Sequence, residues 1–231
     1  MHDQINPAPL ICHLGYEWLE TIPSSNLGLL LTNEELRIAI GLRLGCDIVT
    51  PTTCVLCESH IDSLGHHPLH CRFSKGRLPR NYAINSIINR TLRYTNTPST
   101  LEPTGLSSDN QTRPDGLTLV PWNQGLPLAW DYTCVDRFAR SFSANSISKA
   151  ENTKTNKYCH LNNILFAPVV SDTCLSFRPQ ALKLFKTIEQ RLRLITGDPK
   201  EGFYLRQRIS IEICRSNCIS IHGSLSPVDH T

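Results

Sequence analysis

The sequence predicts a layered mixed α/β domain preceded by a small metal-binding module. Three observations carry this expectation. Apolar residues recur at helical spacing on both sides of a hairpin-like pair of apolar runs, DGLTLVPW and LPLAWDYT. A short apolar run, FAPVVSDT, stands between helical segments. Ahead of them lies a stretch rich in Cys and His and short on periodicity. At 231 residues the chain can bury one good core, or one core and a satellite. Its 40% hydrophobic and 19% charged residues belong to a globular chain and argue against disorder. No apolar run reaches the roughly 18 residues of a membrane span, so none is expected. The N-terminus lacks a basic region followed by an apolar core, so no secretory signal is expected either.

Residues 1–45 read as a helical remnant of an upstream domain. Within them, Thr32 to Leu44 has a clear start and stop: TNEE is a capping-box pattern and Gly45 ends the helix. Residues 46–73 form the candidate metal module. The third unit, 74–231, opens with a helix over 79–94, striped by Ala83, Ile84, Ile87, Ile88 and Leu92. A polar, Pro-containing loop follows, then the two apolar runs split by WNQG, a hairpin signal. A helix is expected over 146–165, then the strand FAPVVSDT, then a strong helix over 178–196 stopped by Gly197. A last helix runs over about 201–221. No internal repeat or low-complexity tract is present.

Ten cysteines without an export signal point to free thiols or metal ligands more than to a disulfide scaffold. Cys54, Cys57, His67 and Cys71 are spaced C-x2-C-x9-H-x3-C. Two close pairs can converge tetrahedrally on zinc, and four filled positions would make that zinc structural. His60, His66 and His70 compete for the histidine position, and adjacency to Cys71 makes His70 sterically poor. The alternative is a set of free cysteines and surface histidines.

A net charge of +3 is too small by itself to imply a nucleic-acid partner. Its distribution says more. From Ser63 to Leu101 there is no acidic residue, while Arg72, Lys75, Arg77, Arg80, Arg90 and Arg93 all fall inside. Such a block can contact phosphates, or it can be an ordinary solvated helix face.

Folding the hairpin about Asn123 sets Asp115 opposite Asp131. Facing side chains in a ladder have Cβ atoms roughly 4.5–5.5 Å apart, close enough for both carboxylates to touch one ion. Left bare, the pair would repel by about 4 kcal/mol at a surface-like dielectric. A hard divalent cation such as Mg²⁺ removes that penalty and leaves room for a phosphate substrate. Thr133 lies on the same strand face as Asp131. Two exposed strand-end aspartates are the plainer alternative. On the next helix Glu151, Lys154 and Tyr158 share one stripe, with Lys157 three residues beyond Lys154. A lysine there could reach a metal-bound phosphate, or simply be solvated.

Taken together, CVLC…GHHPLHC, LEPTGL…RPDGLTLVPW, WDYTCVD, AENTKTNKY, APVVSDT and GDPKEGFYLRQRIS resemble the C-terminal region of open reading frames in site-specific non-LTR retrotransposons. Those carry a CCHC zinc module followed by a restriction-like endonuclease. The resemblance runs from about Trp18 to Gly223 and implies a restriction-endonuclease-like mixed sheet flanked by helices, of the PD-(D/E)xK type. It implies structural zinc on Cys54, Cys57, His67 and Cys71, and catalytic Mg²⁺ or Mn²⁺ on Asp115 and Asp131. The family's lysine two residues past the second acid is absent here, and Lys157 or Lys154 from the following helix would replace it. Glu102, in LEPTGL, is a candidate third carboxylate. Arg72, Lys75, Arg77, Arg80, Arg90, Arg93 and Arg113 are candidate nucleic-acid contacts.

The sequence departs from the family at Asn81, where histidine is common, and at Asp172, where glutamate is usual. The expected activity is metal-dependent nicking of double-stranded DNA in the nucleus, with the element's RNA as a second partner. No membrane partner is expected. A reverse transcriptase domain would belong upstream, because this chain has neither the length nor the acidic polymerase motif for one. The competing expectation is a non-catalytic nucleic-acid-binding module or a decayed, inactive copy.

Overall fold

A computed structural model describes residues 16–106, 113–139, 142–143 and 145–226. The first 15 residues of the expected upstream remnant, part of the expected polar loop and the last five residues lie outside the described residues.

Helix α1 (Asn33–Leu44) is fixed at both ends. The Thr32 hydroxyl accepts from the Glu35 N–H, the Glu35 carboxylate accepts from the Thr32 N–H, and Gly45 adopts φ 68°. The capping box thus satisfies two of the helix's orphan donors. Two short strands, β1 (Thr52–Thr53) and β2 (His60–Ile61), pair antiparallel, and a single helical turn, α2 (His67–His70), follows.

Helix α3 (Arg77–Tyr94) leads into a four-stranded sheet of order β3-β4-β5-β6: β3 (Ser99–Leu101), β4 (Gly116–Thr118), β5 (Leu128–Val135) and β6 (Leu165–Asp172). The first two pairings are antiparallel. The last is parallel, joined by α4 (Ser146–Lys157) as a crossover helix. Helices α5 (Pro179–Thr196) and α6 (Glu201–His222) complete the chain. The fold is therefore a mixed sheet flanked by helices, preceded by a small Cys/His region.

Side-chain alternation on β5 divides the two faces. Leu128, Trp130 and Tyr132 enter a core with Ile84 and Ile88 of α3, Val169 of β6, Phe185 and Ile188 of α5, and Ile209 of α6. Each large side chain fully buried there is worth roughly 1.5–3 kcal/mol. Asp131, between Trp130 and Tyr132, points to the opposite face, where α4 lies. A second core joins Ile38 and Leu42 of α1, Cys54, Ile61, Leu69 and Cys71 of the Cys/His region, and Cys218 and Ile221 of α6. Helix α6 is thus a wall of both cores.

Two local expectations are revised. Residues 99–101 lie in what reads as loop, yet form β3; three residues are too few to show alternation. Helix α4 stops at Lys157 and not near 165, because Leu165 begins β6 opposite Leu128 and Asn163 turns the chain at φ 60°.

Candidate functional site

The ladder pairs Gly116 with Trp130 and Leu117 with Ala129. The ladder ends at Gly116 and Trp130, and Asp115 and Asp131 are the next residue on each arm. Gly116 is required here: a Cβ on it would fall 2.0 Å from the Trp130 ring. The ring lies over the glycine, and its Nε1 donates to Asn85 Oδ1 at 3.1 Å.

Asn85 is thereby oriented, and its Nδ2 donates to Asp115 Oδ2 at 2.8 Å. The Tyr132 N–H reaches the same oxygen at 2.8 Å, and Asn81 Nδ2 at 3.4 Å. Among the described residues every hydrogen bond to the Asp115 side chain falls on Oδ2, which leaves Oδ1 open. Burial first, and the nearby Asp131 charge second, push the Asp115 carboxyl above its ordinary range, while the N–H donors pull the other way. The two acids therefore interact through their charge.

Asp131 is 3% exposed. Lys154 Nζ lies 2.5 Å from its Oδ1, and the Tyr158 hydroxyl donates to its Oδ2. Tyr158 also faces the Arg113 carbonyl oxygen at 2.8 Å, so a single phenolic proton has two acceptors. Burial, then the hydrogen bond to Asp131, drive that phenol far above its usual pKa, so it stays a donor. Lys157 is exposed, with its ammonium 4.9 Å from the Tyr158 ring centroid. Glu151, on the stripe of Lys154, lies by Arg178 at 3.7 Å, and Glu102 is paired with Arg113. Both glutamates are thus paired with arginines.

The second constellation is the metal group. Ligand atoms of Cys54, Cys57, His67 and Cys71 all lie within 4.8 Å of one another. Cys57 and Cys71 sulfurs are 3.7 Å apart, and Cys57 Sγ is 3.1 Å from His67 Nε2. A tetrahedron with Zn–S bonds of 2.3 Å has S···S edges of about 3.8 Å, so the donor set fits zinc. Hydrogen bonds from Ser59 lower the Cys57 thiol to about 6, favouring the thiolate that binds metal. The rival histidines are engaged elsewhere or apart. His66 stacks on Phe138 at 4.1 Å, His70 Nδ1 pairs with Asp136 Oδ2 at 2.9 Å, and His60 is exposed on β2. This Cys3His group can hold a zinc ion.

No protein-family model and no curated protein matches the chain.

The basic segment does not form one patch. Arg72, Lys75, Arg77, Arg90 and Arg93 are exposed, whereas Arg80 is 3% exposed and donates to Asn217 Oδ1 of α6 at 2.9 Å. Arg77 and Arg93 are separated by most of α3, about 24 Å of helix axis. Arg72, Arg77 and Arg80 gather at the N-terminal end, next to the Cys/His region. Arg90 sits at the other end, in a groove with Tyr94, Tyr204 and Arg208.

Asp172 is fully buried and accepts from the Cys174 and Ser176 N–H groups and from Arg137. It shapes the end of β6 away from the acidic pair. The residue that sequence reasoning missed is Asn85. An asparagine between Ile84 and Ile87 on an apolar helix stripe is the signal that was there to be read.

Proposed function

We propose that this chain is a metal-dependent DNA endonuclease domain of retrotransposon origin, nicking double-stranded DNA by phosphodiester hydrolysis. The observation that carries the reading is the convergence of Asp115, Asp131 and Lys154 at the end of one hairpin. Held by the two carboxylates, Mg²⁺ or Mn²⁺ would supply Lewis acidity to the hydrolysis. The open Oδ1 of Asp115 and the mutual charge of the two acids suit such an ion. Asn85, Asn81 and the Tyr132 N–H fix the Asp115 carboxylate in one orientation. Tyr158 and Lys154 do the same for Asp131. Lys154 also brings positive charge to where a phosphate in transfer becomes more negative. Zinc on Cys54, Cys57, His67 and Cys71 would hold the loop that leads into the basic end of α3. Action on chromosomal DNA places the activity in the nucleus, with the element's RNA a second partner.

One observation favours a second reading. Both Asp131 oxygens are already engaged, by Lys154 and Tyr158, so its charge is neutralised within the fold. A non-catalytic nucleic-acid-binding module built on the same scaffold would look like this. Supercoiled plasmid incubated with the zinc-loaded protein and Mg²⁺ or Mn²⁺ separates the two. Nicking that Asp115→Ala Asp131→Ala abolishes supports the nuclease. Binding without nicking supports the module.

A further inference from the structure

A cleft opens beside the acidic pair, walled by the 71–74 loop, the first turn of α3 and the end of β5. Arg72, Arg77 and Arg80 line it together with Ser74, Asn81 and Thr133, and among the described residues no acidic side chain does. Two features of its floor stand out. The Ser74 hydroxyl and the Arg80 Nε–H are both buried, and among the described residues neither has a hydrogen-bond partner. Ser74 is 8% exposed and Arg80 3%. Buried donors are normally satisfied, and leaving one unpaired costs free energy. Ser74 and Arg80 both line this positively charged cleft with the unpaired donors just beneath its surface, where a small side-chain shift would offer them to an acceptor-rich anion.

The surroundings fix what that anion would neighbour. Asn81 belongs both to the cleft and to the hydrogen-bond set of Asp115, so the cleft and the acidic pair share a wall. On the other side the Ser74 N–H donates to the Cys71 carbonyl at 2.9 Å, tying the floor to a residue of the Cys3His group. The Arg72 guanidinium rests on the Phe73 ring, 4.4 Å from its centroid, which orients it without neutralising its charge. Arg80 is held from behind by Asn217.

We propose that this cleft is a phosphate-binding subsite that seats a backbone phosphate of the nucleic acid next to the one at Asp115 and Asp131. Ser74 and Arg80 form its floor, and Arg72 and Arg77 its rim. The identity of the ligand rests on the nuclease reading; the chemistry of the cleft, three guanidinium groups and a hydroxyl, does not.

The test uses the zinc-loaded full chain, a fluorescein-labelled DNA duplex and a series of salt concentrations without divalent cation. Arg80 is buried against α6, so the variants are Ser74→Ala Arg77→Gln and, separately, Arg72→Gln. Zinc content and thermal melting verify that each is folded. The double variant should weaken duplex binding about tenfold and reduce the salt slope by roughly one, since one phosphate is no longer neutralised. Unaltered affinity and slope in the double variant would overturn the subsite.

A parallel melting series with inorganic phosphate separates the sources of the anion. Stabilisation by inorganic phosphate that the double variant loses, with duplex binding untouched, would overturn the nucleic-acid assignment. Failure of the nuclease reading is seen separately: a protein that never nicks yet shows the slope change keeps the subsite and loses the catalysis.

Discussion

Lys154 Nζ lies 2.5 Å from Asp131 Oδ1, while Lys157, less than one helical turn further on, is exposed over the ring of Tyr158. The sequence admits either lysine as the partner of the acids, and the phase of α4 against β5 separates them. Three residues advance a helix by about 300°, so Lys157 points about 60° away from the direction of Lys154 and lies off the strand.

Lys154→Met is therefore expected to lower plasmid nicking by about 100-fold or more, in keeping with the loss of a charge placed against the reacting phosphate. Lys157→Met should change it by less than about threefold. Duplex binding, measured by anisotropy, should hardly move in either. Equal losses from both variants would rule out Lys154 as the residue that stabilises the reacting phosphate.

Asp115 leads to a stability prediction with a definite sign. Its carboxyl binds a proton more tightly in the folded chain than in the unfolded one. Its contribution to stability is thus greatest at acid pH and is lost as pH rises through the folded pKa. In metal-free buffer at neutral pH, Asp115→Asn should raise the melting temperature, because the neutral amide does not carry the buried charge. The advantage should vanish as pH falls through the carboxylate range. Added Mg²⁺ should stabilise the wild-type protein and not the variant. A variant that melts lower than wild type at every pH would contradict this account.

Zinc should be lost on Cys57→Ser and retained on His66→Ala and His70→Ala, as read by mass spectrometry of the native protein. Cys54 and Cys71 share the second core with Ile38, Ile61 and Ile221, so losing the metal should loosen that core. A melting temperature lower by about 10 °C or more is expected. Unchanged zinc in Cys57→Ser would mean the ligand set is wrong.

Gly116→Ala tests the hairpin through both stability and nicking. The added methyl would meet three ring carbons of Trp130 at 2.0–2.4 Å, and that ring is fully buried. Overpacking of this kind typically costs about 1–3 kcal/mol, and the displaced Trp130 would also release Asn85. Lower melting temperature should therefore come with lost nicking, whereas Gly125→Ala, in the turn, should spare nicking.

The hairpin shows how much of the site is legible in the sequence. Symmetry about Asn123 gives the observed ladder, yet the turn is not there. The chain reverses at Gln124 and Gly125, both with positive φ as a type I′ turn needs, and Asn123 bridges Leu126. Between Leu117 and Asn123 the first arm carries five residues, against two between Leu126 and Ala129 on the second, which makes up the difference in register. Such compensation is invisible in a pattern of apolar residues. The Cys/His group is legible because its spacing is local and its chemistry restrictive. The phase of α4, the donors on Asp115 and the pairing of Glu102 with Arg113 are not, because each depends on contacts between elements far apart in sequence.

Helix α6 has a consequence for how this molecule can be taken apart. Its first half closes the core against the sheet and its last turns close the core around the Cys/His group. Neither part can be excised, transplanted or expressed alone without exposing half of that helix. The two should melt in one cooperative transition, and limited proteolysis should yield no fragment carrying zinc without α6 attached.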